Sequence, residues 1–378
     1  MRTPRRLTLA AAALALPLLT TVPAHAASHT TVLATVGGDQ LASRATIVSA
    51  GAPALPATTA AGWLVADLDT GDVLAAKDPH GRYAPASTLK TLTAETLIPK
   101  LDRHQLVTPT FDDVNVDGSK VGLVDTVRYP VDELFRSMLV VSGNDAALAL
   151  ATANGGLPKT VSEMNAEAAR LQAHDTHAVN DNGLDAPGQT SSAYDLALIA
   201  RAGMQLPDFR DYVATKRAHI RGAKPGTAIA ISSHDKLLWN YAGAIGIKNG
   251  FTVAARATFV GAATRGGHTL VVTLMRTNPR YWPEAASLLD WGFKATSLGV
   301  TPVGRLVEPL DAGPSVATTS APRADEPQAQ TVTKVSAAQG GGFPLLPAAV
   351  VGAGVAVMGT GLLRSRRRGR GKMKLPPI

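Results

Sequence analysis

A serine and a lysine three residues apart, in Ser87-Thr88-Leu89-Lys90, are the residues around which chemistry can be built in this chain. At helical spacing the lysine amine lies over the same face as the serine hydroxyl. A free serine is a weak nucleophile and needs a base within hydrogen-bond reach. Lysine can be that base once burial or a neighbouring cation lowers its pKa. The run from Ala84 reads as a helix of about four turns, with Leu89, Leu92, Leu97 and Ile98 as apolar positions. Ser87 then sits near the helix start, where unpaired N–H groups and the positive dipole end favour developing negative charge.

The S-x-x-K spacing says little by itself, because Ser233-His234-Asp235-Lys236 repeats it in a run that reads as a turn before a strand or helix. Two further elements give it context. Ser142-Gly143-Asn144 closes one helical run, and Lys248-Asn249-Gly250 follows the strand-like Ala244 to Ile247 and precedes Phe251 and Thr252. A competing K-x-G, Lys224-Pro225-Gly226, is a poor internal strand because proline removes a ladder donor.

The elements that must position these residues change character along the chain. Trp63 to Asp69 and Asp72 to Lys77 are strand-like runs joined by the turn signal Asp69-Thr70-Gly71. Helical spacing follows from Val131 to Leu139, Asp145 to Ala153, Thr160 to Gln172 and Ser192 to Met204, with Ser191 or Ser192 placed to cap the last. Strands return at Ala228 to Ser232, Gly246 to Lys248, Ala257 to Ala262 and Thr269 to Met275, and Pro283 to Trp291 closes as a helix. Strands, then helices, then antiparallel strands and a final helix predict an α+β fold with a helical lobe inserted between parts of the sheet.

The formal charge of +8 suggests a nucleic-acid partner until it is located. Arg2, Arg5 and Arg6 supply three positive charges, and Arg364, Arg366, Arg367, Arg368, Arg370, Lys372 and Lys374 supply seven more. Subtracting those ten from +8 leaves −2 on the body, so no nucleic-acid groove is implied. There is no cysteine, which removes disulfides and thiolate metal sites, and the nine histidines form no metal-ligand spacing. No cofactor and no metal are expected.

Both ends carry membrane signals. Residues 1–26 have the basic, apolar and small-x-small parts of an export signal, and 27–59 reads as a flexible extension with a candidate edge strand at Thr31 to Val36. A catalytic domain is expected over 60–297, then a tail and Pro/Ala/Thr-rich linker over 298–342. Residues 343–363 are uncharged and long enough to span a membrane, and the basic tail 364–378 is expected to stay in the cytoplasm. The catalytic domain is therefore expected outside the cell, tethered to its membrane and facing the wall.

The order and wide spacing of S-x-x-K, S-x-N and K-x-G resemble the penicillin-binding proteins and serine β-lactamases, whose third motif is K-T-G. The flanking text is more similar to the low-molecular-mass D-alanyl-D-alanine carboxypeptidases. Ala84 to Ala94, Val141 to Leu150, Asn182-Gly183-Leu184-Asp185, Ser191 to Ala200 and Leu288 to Phe293 carry that likeness. The resemblance implies a β-lactamase/transpeptidase-like fold and release of the terminal D-alanine from peptidoglycan stem pentapeptides, with β-lactams as inhibitors. It makes Ser87 the acylated nucleophile, Lys90 its base and Ser142 a proton relay. Asn144 would hold the substrate amide, and Lys248, Asn249, Gly250, Phe251 and Thr252 would line the binding strand. The N–H groups of Ser87 and Phe251 would form the oxyanion hole, with the Thr252 hydroxyl available to the substrate carboxylate.

This chain departs from that pattern at Asn249, where the family usually has threonine, and at Arg256, where a small residue is common. Endopeptidase or transpeptidase action by the same site is an alternative. A β-lactamase would need a glutamate in an E-x-x-L-N setting between the second and third motifs, and Glu163 and Glu167 lack that context. An idle wall-binding scaffold is the remaining alternative, suggested only by Asn249.

Overall fold

The computed structural model describes residues 35–311. In chain order it contains β1 (Thr46–Val48), β2 (Gly62–Asp67) and β3 (Asp72–Lys77), then a 3-10 turn at Ala86–Leu89 that runs into α1 (Lys90–Leu97). A mainly helical stretch follows: β4 (Leu106–Val107), α2 (Phe111–Val114), β5 (Tyr129–Pro130), α3 (Val131–Val140), α4 (Asn144–Ala153), α5 (Leu157–Arg170), α6 (Ala193–Gly203) and α7 (Pro207–Ala214). After it come the ribbon β6 (Arg217–Arg221) and β7 (Ala228–Ser232), α8 (Lys236–Asn240), β8 (Ala244–Thr252), β9 (Arg256–Arg265), β10 (His268–Thr277), α9 (Tyr281–Ser297) and β11 (Gly304–Arg305).

The main sheet is antiparallel in the order β1-β3-β2-β10-β9-β8, with β11 also paired to β3. Strands from before and after the helical stretch thus meet in its centre, where β2 pairs with β10 from Leu270↔Asp67 to Met275↔Gly62. All six residues of β2 are buried, because both faces of the sheet are covered. Alternation sorts them: Leu64 and Ala66 join Val271 and Met275 in the core under α1 and α6. Trp63 and Val65 face the other way, with Leu270, Val272 and Leu274, against Leu288, Leu289 and Trp291 of α9. On the α6 side Thr273 Oγ1 donates to Ala193 O at 2.8 Å, fixing the start of α6, whose first turn is capped by Ser192. This is the α+β architecture with an inserted helical lobe.

Three readings differ from the structure. Residues 35–59 are not a loose extension: Leu41 is fully buried and β1 pairs with β3 at Thr46↔Lys77. An Ala- and Thr-rich segment has no period of its own, yet an open edge of β3 supplies backbone partners for it. The domain also continues past 297, since Val303 and Leu306 are buried and β11 pairs with β3. Finally, Arg217–Arg221 is a strand, paired with β7 in a separate ribbon. The export signal at 1–26, the candidate strand at Thr31 to Val36 as far as Ala34, most of the linker, the 343–363 span and the basic tail lie outside the described residues. Among the described residues, no helix is long and apolar enough to cross a membrane.

Candidate active site

Ser87 lies in the 3-10 turn rather than in the α-helix proper, and Ala86 before it has φ +49. The turn is pinned at one acceptor, Pro85 O, which takes hydrogen bonds from Thr88 Oγ1 at 2.6 Å and Thr258 Oγ1 of β9 at 2.7 Å. Two glycines let other backbone reach the Ser87 amide. A Cβ on Gly250 of β8 would lie 2.7 Å from Ser87 N, and one on Gly183, where φ is +83, would lie 1.9 Å from Ala86 O. The K-x-G glycine is therefore a requirement of close approach between β8 and the nucleophile turn.

Lys90 is the first residue of α1 and has 0% of its surface exposed. Its Nζ lies 3.1 Å from Ser87 Oγ, 2.7 Å from Asn144 Oδ1 and 2.5 Å from Asn182 O. Burial holds its pKa well below the usual lysine range, and repulsion from Lys248 adds to this; Asp181 and Asp145 act the other way. A neutral amine has two N–H donors and one lone pair. The two carbonyl oxygens can only accept, so they take the N–H groups, and the lone pair is left for the Ser87 hydroxyl. That is the arrangement a general base needs.

Ser142 is nearly buried and takes a left-handed φ of +62, uncommon for a residue with a side chain. The next residues are fastened by Gly143 N to Ser137 O and Asn144 N to Ser119 O at 2.7 Å. Asn144 spends Oδ1 on Lys90 and Nδ2 on Asp117 O. It is a holder of Lys90 as well as a candidate contact for substrate. Asp145 ties the adjoining loop by accepting from the N–H groups of Val121, Gly122 and Leu123.

From the opposite side comes β8, the edge strand. Lys248 is buried on the same face as Gly250, and its Nζ donates to Asn249 O at 2.7 Å. Burial lowers its pKa to about 7, while Asp235 holds it up. Asp235 caps α8 through Leu237 N and Leu238 N, and its other oxygen is buried without a partner among the described residues. Asn249 points to the other face of β8 and is half-buried, and Phe251 is 59% exposed at the rim. The structure thus brings Ser87, Lys90, Asn144 and Gly250 into one cluster, with Lys248 beside it and Ser142 two residues before Asn144 in the same loop.

Thr252 does not match its expected place. Its hydroxyl donates to Asp185 Oδ1 at 2.8 Å and accepts from Ala255 N at 2.9 Å, so the hydrogen meant for a substrate carboxylate is already committed. The cause is the tight turn into β9, which needs a cap and which Thr252 bridges to the 182–189 loop. Sequence reasoning also missed Asn182, whose backbone carbonyl holds Lys90, and Asp181 beside it. A backbone acceptor leaves no side-chain signal; the quoted Asn182-Gly183-Leu184-Asp185 run was the only pointer. Elsewhere, His80, Asp175 and Asp195 converge, but both imidazole nitrogens are occupied, by Asp175 Oδ2 at 2.8 Å and Val36 O at 3.1 Å.

Comparison with known proteins places this geometry. A family model described as D-alanyl-D-alanine carboxypeptidase matches residues 48–278. The D-alanyl-D-alanine carboxypeptidase DacB2 of Mycobacterium tuberculosis is 43% identical over 256 residues, covering 66% of this chain and 87% of that protein. DacD of Salmonella typhimurium is 35% identical over 257 residues, which are 64% of each chain. Among solved structures, a D-alanyl-D-alanine carboxypeptidase from Mycobacterium tuberculosis aligns with a TM-score of 0.64 and 41% identity, over 70% of this chain and 100% of that one. The Streptomyces K15 DD-transpeptidase aligns with a TM-score of 0.60 and 29% identity, over 64% of this chain and 99% of that one.

Fold and neighbours define a hydrolase of the penicillin-binding, DD-peptidase class. Within that class the chain belongs to the D-alanyl-D-alanine carboxypeptidase family of serine peptidases.

Proposed function

We propose that this chain removes the terminal D-alanine from peptidoglycan stem pentapeptides through an acyl-enzyme on Ser87, and that β-lactams trap the same intermediate. The observation that carries the reading is the buried Lys90 amine 3.1 Å from Ser87 Oγ, with both its N–H groups occupied by carbonyl acceptors. Ser87 Oγ attacks the carbonyl of the penultimate residue as its proton passes to Lys90 Nζ. The oxyanion forms against the N–H groups of Ser87 and Phe251. The proton then moves by way of Ser142 to the leaving amine, D-alanine departs, and water hydrolyses the ester. Lys248 supplies positive potential for the terminal carboxylate, and Asn249, on the other face of the same edge strand, offers its amide to a substrate lying along the edge of β8. The solved neighbour named as a DD-transpeptidase favours a second outcome of the same acyl-enzyme, transfer to an amine acceptor.

A labelled penicillin should attach to Ser87, as located by mass mapping, and the domain should release D-alanine from a pentapeptide. Label that survives Ser87→Ala, or that maps to Ser233, overturns the assignment. Cross-linked product formed in preference to free acid assigns the chain to transpeptidation instead. We further propose that the domain is exported and tethered to the cell membrane by residues 343–363, on the strength of the apolar run and the basic tail after it. Protease added to intact protoplasts should then remove the domain and leave a small membrane-bound fragment; a fully soluble mature protein contradicts the tether.

A further inference from the structure

Asp181 immediately precedes the residue whose carbonyl holds Lys90. It has 0% exposure, and neither of its carboxylate oxygens has a hydrogen-bond partner among the described residues. Two successive carbonyls here are committed to α1. Asp181 O accepts from Thr93 Oγ1 at 2.6 Å, and Asn182 O accepts from Lys90 Nζ at 2.5 Å. Lys90 and Thr93 are three residues apart on one buried face of α1, so both grip the same two peptide units. The carboxyl is thereby fixed beside the base and out of reach of bulk solvent. Burying a carboxylate without donors is costly, and a native chain that retains one has a use for the charge.

We propose that Asp181 is a positioning residue for Lys90, its negative charge balancing the ammonium that forms when Lys90 takes the Ser87 proton. It changes no bond: Ser87 O–H breaks, Lys90 N–H forms, and the proton later leaves with the amine. The groups around the pair are few. Lys90 faces Lys248 of β8, Asp145 of α4 and Asp181, and Asp181 faces Lys90 of α1 and Asp113 of α2. Burial pushes Asp181 up to about 7, so near neutral pH its charge is present or absent over the range in which the site must work. Burial and the Lys248 charge both depress Lys90; Asp181, with Asp145, keeps it basic enough to accept a proton.

The inference rests on Lys90 being the base, and the two ideas fail differently. If Lys90→Ala retains acylation, the base assignment itself is wrong. With Lys90→Ala inactive, the test is the pH profile of Ser87 acylation by an uncharged ester in Asp181→Asn. Removing the negative charge lowers the proton affinity of Lys90, so the acid limb of kcat/KM should move down by about one pH unit. The plateau should fall about three- to tenfold because the amine is a weaker base, with KM little changed. An acid limb within about 0.2 units of the parent, on equally stable proteins, overturns the proposal. Should Asp181→Asn fail to fold, the unaltered protein decides. The Lys90 side-chain carbon resonance should show a second inflection as Asp181 titrates, and a single inflection overturns it.

Discussion

At Gly250 the missing side chain is what allows β8 to touch the nucleophile turn. A Cβ there would meet Ser87 N at 2.7 Å and Thr88 N at 3.0 Å, both backbone atoms that cannot swing aside. Gly250→Ala should push β8 away from the Ser87 amide and spoil the paired oxyanion donors. Loss of one such donor costs about 100-fold or more in rate, so acylation by a chromogenic β-lactam should fall by about that factor. A decrease under threefold would show that the strand yields without harm. Asn249 tests the other face of the same strand. Its amide makes no hydrogen bond to a described residue, and it stands where the family's threonine does. A hydrogen bond to a charged group is worth roughly 1.5–3 kcal/mol, so Asn249→Ala should slow acylation by a D-Ala-D-Ala depsipeptide about 10- to 100-fold. Asn249→Thr should keep most of the rate. Equal rates for parent and Asn249→Ala would mean that the side chain only fills space.

The β8–β9 hairpin explains the second departure from the family pattern. Its turn runs from Thr252, whose hydroxyl caps Ala255 N, to Arg256 at φ +59. That left-handed conformation costs a residue with a Cβ about 1–2 kcal/mol and costs glycine nothing sterically, which is why a small residue suits the position. Arg256 is exposed, so its side chain gains little packing in return. Arg256→Gly should therefore stabilise the protein by about 0.5–1 kcal/mol after glycine's greater freedom in the unfolded chain is counted. A rise of roughly 1–3 °C in Tm is expected for a domain of this size. A lower Tm would mean that Arg256 makes a contact that compensates its strain.

Across the whole domain, the N-terminal segment is held to the helical lobe by His80. Its ring links Val36 O to Asp175, packs against Tyr194 with centroids 4.6 Å apart and planes tilted by 38°, and lies close to Asp195. Burial lowers the His80 pKa, but the Asp175 hydrogen bond and charge, with Asp195, outweigh it and leave the value raised above 6.5. A group whose folded pKa exceeds its unfolded one stabilises fully below the unfolded value, and that stability is lost as pH rises through the folded value. Asp195, raised to about 7 chiefly by burial, slopes the same way from 3.8 upward. Asp175, held below its usual value, loses its contribution only as pH falls past that lowered value, well outside this window. The stability difference between parent and His80→Gln should accordingly be largest near pH 6 and shrink towards pH 8.5. A constant difference across thermal melts in that range would show that His80 acts by packing alone.

The sequence by itself determined most of the order of elements and the candidates for the reacting groups. Short, mostly apolar runs bounded by turn signals marked β2, β9 and β10, helical spacing marked α3 to α6, and Ser192 capped α6 as its type and place require. The Ser87–Lys90 contact was legible because residues three apart on a helical turn are neighbours whatever surrounds them. What only the tertiary structure decided is how those groups are charged and held. Periodicity states that a face is buried, not how completely or against what, so the depressed pKa of Lys90 waited on its full enclosure first and on Lys248 arriving from β8 second. Asn182 O, Asp181 and the Thr252–Asp185 bond had no local pattern, because a backbone acceptor carries no residue signature and a loop has no period. The strand at Thr46–Val48 was equally hidden: its pairing is set by the free edge of β3, and that edge exists only once the sheet has formed.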